Sequence, residues 1–202
     1  MVIRKVLVFI LCLVPLCLLI YQIAAGQLGP DVGKALVLAT GIWALRFLLL
    51  ALAVTPLRQV TRIHELAQLR RMIGLYAWFY ASLHFLVVLT YLLGWSWTIF
   101  IEEFSERPYM TLGITAWVLM VPLGLTSNRW AQRRMGRRWK SLHKAVYLIG
   151  VLACAHFIWL IRSDYAEALT YSLILTVLLL VRVGAKYKRA LPRIGRGSHD
   201  SA

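Results

Sequence analysis

The chain has 202 residues, 60% of them hydrophobic, and its Lys and Arg outnumber Asp and Glu by 23 to 8. An ordinary water-soluble domain is excluded by that composition, and the basic residues fall in blocks between long apolar runs, which suits a membrane surface and not a nucleic-acid groove. No segment is long enough to form a water-exposed basic fold, so no nucleic-acid partner is expected.

The first apolar run, Val6 to Ile23, follows Arg4 and Lys5 as the core of a signal peptide would. The first small-residue cleavage signal is Ala24-Ala25-Gly26, so a retained span is expected, with cleavage at that point the open alternative. Gly26, Gly29 and Pro30 close it. The second run, Ala35 to Val54, is expected to stop at Pro56, and the third, Met72 to Leu93, at Gly94. Pro108 precedes the fourth, Tyr109 to Thr126; the fifth covers Leu142 to Ile161 and the sixth Ala166 to Val183. Each run is close to the roughly 20 residues that cross hydrocarbon as a helix. The alternation of a membrane β-barrel is absent, and runs such as Leu48-Leu49-Leu50-Ala51-Leu52-Ala53-Val54 leave no polar face for a lumen. The expected fold is an all-α integral membrane protein, a six-helix transmembrane bundle over 1–185, with a short basic tail, 186–202, lying against anionic lipid headgroups. Pro15 and Pro122 fall inside spans, where they are expected to bend them.

Charge orients the bundle. Arg4 and Lys5, then Arg58, Arg62, Arg70 and Arg71, then the dense connection from Arg129 to Lys140, and finally the tail all fall on one side. The opposite connections hold Asp31, Glu102, Glu103, Glu106, Asp164 and Glu167, with only Lys34, Arg107 and Arg162 against them. The positive-inside rule places both termini in the cytoplasm, in agreement with an even number of spans.

Cys12, Cys17 and Cys154 all lie within spans and lack the spacing of a disulfide framework, a Cys-x-x-Cys site or a covalently attached haem. They read as small buried apolar residues. There is no Gly-x-Gly-x-x-Gly, no Walker loop and no globular insert for nicotinamide or ATP, so a two-electron donor has to come from a partner or a diffusing carrier.

The informative residues are three histidines in apolar helices, His84, His143 and His156. A ring nitrogen in hydrocarbon requires a partner. At about 1.5 Å per residue from the basic ends of their spans, His84 and His156 lie roughly 18 and 21 Å deep, at one level. The third and fifth spans run the same way, so the two imidazoles can clamp an iron porphyrin between them. His143 sits about 20 Å below His156 and is rotated roughly 220° around the same helix, which keeps it off that iron. The competing reading of a histidine bonded to a helix carbonyl stays open, above all for His143. Zinc fits less well, since it wants three or four converging ligands and the spans hold no acid.

Arg46 is the other costly group, with no Asp or Glu inside a span to neutralise it. Its partner is either a cofactor anion, a haem propionate or flavin phosphate, or a lipid headgroup reached by snorkelling. The connection from Asn128 to Lys140, with Arg137 and Arg138 as candidate cofactor-binding residues, either holds an anionic cofactor, docks an acidic donor protein or is a topogenic cluster facing lipid. Trp95, Trp97, Trp130 and Trp139 fit interfacial belts, whereas Trp43, Trp78, Trp117 and Trp159 lie deeper, where they can pack around a porphyrin. Electrons crossing an apolar layer of about 30 Å need more than one haem near the outer face, so a flavin or quinone near His143, Arg46 and the basic connection is expected to bridge the inner half. On composition and placement alone, a quinol-linked membrane cytochrome b serving another acceptor, or a non-redox transporter or assembly factor, also remain open.

Several segments together carry a family resemblance: Thr40-Gly41-Ile42-Trp43-Ala44-Leu45-Arg46, Thr55-Pro56-Leu57, Leu69 to Leu75, Leu83-His84, Arg107 to Gly113, Thr126-Ser127, and Gly136 to Tyr147. Over nearly its whole length the chain resembles the haem-binding membrane subunit of the bacterial protein-methionine-sulfoxide reductase system, a ferric-reductase-like transmembrane family. The resemblance implies a multi-pass protein of the bacterial inner membrane that carries electrons through haem b. Its donor would be a cytoplasmic flavin reductase or the quinone pool. Its acceptor would be a periplasmic molybdenum-containing methionine sulfoxide reductase that repairs oxidised proteins and does the sulfoxide chemistry itself. The resemblance also implies FMN, and haem binding through His84, His143 and His156. The wider ferric reductases hold two stacked haems on paired histidines; here the third span has only His84, with Arg70 or Arg71 where its pair would stand, so one haem is expected.

Overall fold

A computed structural model describes residues 2–63, 65–161 and 164–190. His64, Arg162 and residues 191–202, which hold most of the expected basic tail, lie outside the described residues. Among the described residues nine helices follow one another: α1 (Val2–Ala24), α2 (Val32–Thr61), α3 (Leu66–Tyr91), α4 (Trp97–Glu106), α5 (Pro108–Leu125), α6 (Arg129–Met135), α7 (Arg137–Leu142), α8 (Ala145–Leu160) and α9 (Ala166–Ala190). The same residues contain no strand. Six helical stretches among them are long and apolar enough to cross a membrane: α1, α2, α3, α5, α7 with α8, and α9.

α2 packs along α3 and α5 along α8, and the two pairs meet through contacts of α3 with α5 and of α2 with α8. The seam is an apolar cluster that includes Phe47, Leu48, Tyr76, Ala77, Tyr80, Ala116, Met120 and Ile149. Phe47 stacks on Tyr80 with ring centroids 5.0 Å apart. α1 and α9 flank this four-helix body and leave Leu11, Leu18, Leu173 and Leu180 exposed. In a bilayer such faces meet lipid tails as apolar as themselves, so these helices are held by close packing, as at Cys12 of α1 and Leu175 of α9, together with polar ties. For α1 the ties come from α3. The Tyr80 hydroxyl donates to Cys12 O at 3.0 Å and accepts from Leu16 N–H at 3.1 Å, entering the α1 ladder beside Pro15, while Tyr76 donates to Phe9 O at 3.1 Å.

α9 is tied through a consequence of Pro56. The expected stop there does not occur, and α2 continues to Thr61, ending at Arg62 in the left-handed region (φ 59°). Proline has no N–H to give to the carbonyl four residues back, so Leu52 O is left without its helical donor in the apolar interior. Arg182 of α9 supplies one at 2.5 Å, and its other terminal nitrogen donates to the Tyr147 hydroxyl of α8 at 2.5 Å. Arg182→Ala removes a charged hydrogen bond from a buried carbonyl, for which about 1.5–3 kcal/mol is expected. Thermal unfolding in detergent is the measurement, with an unchanged midpoint counting against the tie.

Two connections are more ordered than expected. The connection between α3 and α5 contains α4, capped by Ser96, whose hydroxyl accepts from Ile99 N–H at 3.4 Å. Its Phe100 packs on Val88, Leu93 and Met110. The basic connection folds into α6 and α7, which meet at Gly136 (φ 52°). The fifth span is broken between α7 and α8, so His143 caps α7 instead of lying in a continuous helix. α9 runs to Ala190, which makes the first residues of the expected tail helical.

Candidate functional site

The rings of His84 on α3 and His156 on α8 stand with centroids 6.3 Å apart and planes at 77°. Each is held from behind by the carbonyl of a neighbouring helix. His84 Nδ1 lies 3.0 Å from Val37 O of α2, with Thr40 Oγ1 at 3.3 Å, and His156 Nδ1 lies 2.6 Å from Tyr109 O of α5. A carbonyl only accepts, so the proton in each ring belongs on Nδ1 and the Nε2 lone pair is free. That is the arrangement by which proteins orient a metal-bound imidazole. Two imidazoles on opposite sides of one metal, each about 2 Å from it, hold their centroids roughly 6 Å apart, so the separation fits bis-imidazole ligation.

The space between the rings is an apolar chamber lined in part by Ile42, Leu45, Phe85, Met110, Trp117 and Phe157. Two glycines make room for the rings. A Cβ on Gly41 would lie 3.1 Å from His84 Nδ1, and one on Gly113 only 2.8 Å from His156 Nδ1. Trp117 stacks on Phe85 at 4.3 Å and donates to Ser82 at 3.2 Å, which fixes one wall. Among the described residues no three His, Cys, Asp or Glu side chains converge as a structural zinc site would require. The chamber therefore suits a planar apolar group carrying its own metal, ligated from both sides.

A second cavity, of about 830 Å³, opens at the end of the bundle that carries α6 and α7. It is lined by His143, Trp78 and Trp139 together with Lys5, Arg70, Arg71, Arg129, Lys140 and Lys144. His143 donates through Nδ1 to Trp139 O at 3.1 Å, and its ring is stacked on the Trp139 indole at 3.9 Å. Trp139, expected in an interfacial belt, is thus a wall of this cavity. Trp78 Nε1 is buried there without a hydrogen-bond partner. An aromatic wall, a ring of cations and an unused N–H donor suit a flat anionic or carbonyl-bearing occupant.

The structure brings His84 and His156 together and separates His143 from them. Arg137 and Arg138 are exposed and line neither cavity; the cations at the second cavity are their neighbours Arg129, Lys140 and Lys144, the α3 pair Arg70 and Arg71, and Lys5 of α1. Arg46 lies along α9. Its Nε donates to the Tyr171 hydroxyl at 2.7 Å, its guanidinium is 3.4 Å from Glu167 and 4.9 Å from the Trp43 ring centre, and it lines neither cavity. The anion expected from a cofactor or lipid is therefore matched by Glu167, which the sequence pattern places in a connection. Gly41, Tyr109 and Gly113 stand in segments that carry the family resemblance, but the pattern gives neither them nor Val37 a role at the rings, because a backbone carbonyl leaves no trace in residue identity and a missing Cβ matters only once its neighbour is known.

Residues 40–154 match the family model of the ferric reductase like transmembrane component. Relatives named protein-methionine-sulfoxide reductase heme-binding subunit MsrQ align along the chain. One from Xanthomonas euvesicatoria is 46% identical over 90% of this chain and 86% of its own. One from Xanthomonas oryzae is 44% identical over 100% and 95%, and one from Polaromonas naphthalenivorans 40% over 96% and 90%. The chain belongs to the MsrQ family of ferric-reductase-like transmembrane proteins. The segment matched by the ferric reductase model begins at Thr40, beside the His84 ring, and contains His84 and His143. The MsrQ relatives extend the match beyond it to His156 and α9. No solved structure matches the chain.

Proposed function

We propose that this MsrQ-family chain is a b-type haem electron-transfer subunit in which His84 and His156 would hold the haem iron. It would lie in the bacterial inner membrane with both termini in the cytoplasm. The observation that carries the reading is the pair of rings 6.3 Å apart, each with Nδ1 committed to a helix carbonyl. When bound, the haem supplies a one-electron couple inside the apolar layer. The chain's residues do the rest: Val37 and Tyr109 orient the rings, Gly41 and Gly113 admit them, and Phe85, Trp117 and Phe157 exclude water. Low polarity around the iron and the basicity of the two imidazoles then set its potential.

The second cavity would take FMN or a quinone. Arg70, Arg71, Lys140 and Lys144 attract phosphate or a reduced-ring anion, Trp139 and His143 offer a stacking face, and Trp78 N–H meets a carbonyl. In this reading a cytoplasmic flavin reductase or quinol would supply electrons at that cavity, His84 and His156 would hold the group that carries a one-electron couple in the apolar layer, and a periplasmic molybdenum-containing methionine sulfoxide reductase would consume the electrons in protein repair. The chain itself performs no sulfoxide chemistry.

The experiment is to purify the chain from haem-replete cells, count haem and flavin per polypeptide, reduce it, and add candidate acceptors. Reoxidation of the haem by the sulfoxide reductase subunit with its substrate is expected. Reoxidation by some other periplasmic acceptor alone would make it a quinol-linked cytochrome b of a different system, and a colourless protein would remove the redox reading.

A further inference from the structure

Leu48, Met120 and Ile149 line both cavities, and among the described residues they alone do so. They come from three helices, α2, α5 and α8, are exposed by only 4%, 8% and 0%, and belong to one apolar cluster. Each cavity thus has the same three side chains as a wall. On one side stand cations, a histidine and exposed lysines at the mouth; on the other stand hydrocarbon, aromatic rings and the two facing imidazoles.

We propose that Leu48, Met120 and Ile149 form a septum that passes electrons between the two chambers and blocks protons and water. This rests on the reading of two redox groups in series. Thickness and composition argue for both properties. Because each of the three side chains lines both cavities, the partition there is a single layer of side chains, which brings groups on its two faces near one another. Water entering such a layer would need two to four polar partners, and these three side chains offer none. A proton carries a charge whose burial in hydrocarbon is costly, so it does not follow. The septum would pass one electron for each ferric iron reduced to ferrous, and hold back the proton that a reduced flavin or quinol gives up on the His143 side. That separation matters in a membrane that stores energy as a proton gradient, because the basic chamber is open to water on one face. A wetted continuation through the His84–His156 chamber would be a leak.

The test is made on the full haem-containing chain in sealed vesicles with a trapped pH-sensitive dye, potassium and valinomycin. A pH step is applied outside and the rate of proton entry is read. Met120→Gln with Ile149→Ser puts water-binding groups in the septum, and proton entry is expected to rise about tenfold or more over the unsubstituted chain. Val118→Gln, on the same helix at an exposed position, is expected to leave it unchanged. If the double variant fails to fold, Met120→Gln alone, which nearly conserves volume, decides the matter. A monodisperse septum variant that keeps its porphyrin spectrum and leaks no faster overturns the proposal. Should the unsubstituted chain bind no porphyrin, the electron-transfer reading fails, while the leak comparison still decides whether this layer is the barrier.

Discussion

Chains carrying His84→Ala or His156→Ala are expected to lose low-spin haem, whereas His143→Ala should keep it and lose flavin or quinone instead. The difference follows from placement. His84 and His156 face one another across the apolar chamber, and His143 lines the other cavity, stacked on Trp139. Removing either facing ring would leave at most one imidazole nitrogen to hold the iron of the proposed haem, in a chamber that offers it little else but hydrocarbon. A fall of about tenfold or more in six-coordinate haem per polypeptide is expected for both, since even the groups that merely orient a ligand typically matter by about tenfold or more. The readouts are optical and EPR spectra with porphyrin and flavin counted on the same sample. Equal loss of iron ligation in His143→Ala would overturn the division of roles between the two cavities.

Gly113→Ala is expected to do nearly as much damage without touching a ligand, and more than Gly41→Ala. The added methyl would lie 2.8 Å from His156 Nδ1 and 2.9 Å from Cε1, closer than carbon approaches such atoms, and the ring cannot retreat without giving up its 2.6 Å contact with Tyr109 O. At Gly41 the nearest ring atoms of His84 are 3.1 Å away, so a shift of a few tenths of an ångström suffices. The expected order of six-coordinate haem is therefore unsubstituted, then Gly41→Ala, then Gly113→Ala. Because both positions are helical, alanine itself favours the backbone conformation and a loss cannot be assigned to helix propensity. Equal haem in all three proteins would mean that the rings are not fixed where these glycines meet them.

Much of this protein is legible in its residues alone. The apolar runs and the one-sided basic residues forecast six membrane-length helices, because hydrocarbon thickness sets helix length and leaves few alternatives. The level match of His84 and His156 follows from a fixed rise per residue. Local patterns mislead where a residue's role depends on a neighbour far away in sequence. Pro56 has the look of a stop, yet α2 passes through it, and Arg182, on the last helix, satisfies the carbonyl that the proline leaves free. Arg46 looks like a partner for a cofactor or lipid anion, yet it lies against Tyr171 and Glu167, since α9 runs beside α2. Arg137 and Arg138 stand out in the basic connection, but the fold turns Arg129, Lys140 and Lys144 toward the cavity, at a bend centred on Gly136.

By itself the sequence determined the solvent, the number of crossings, the candidate histidines and the family, all of which rest on composition and on short-range helical periodicity. Only the tertiary structure decided which carbonyls hold the rings, which glycines admit them, that two chambers exist and that three apolar side chains stand between them. The reason is geometric: helix length and depth accumulate along one chain segment, whereas a cavity is bounded by atoms from several segments whose rotation about their axes is set by packing alone.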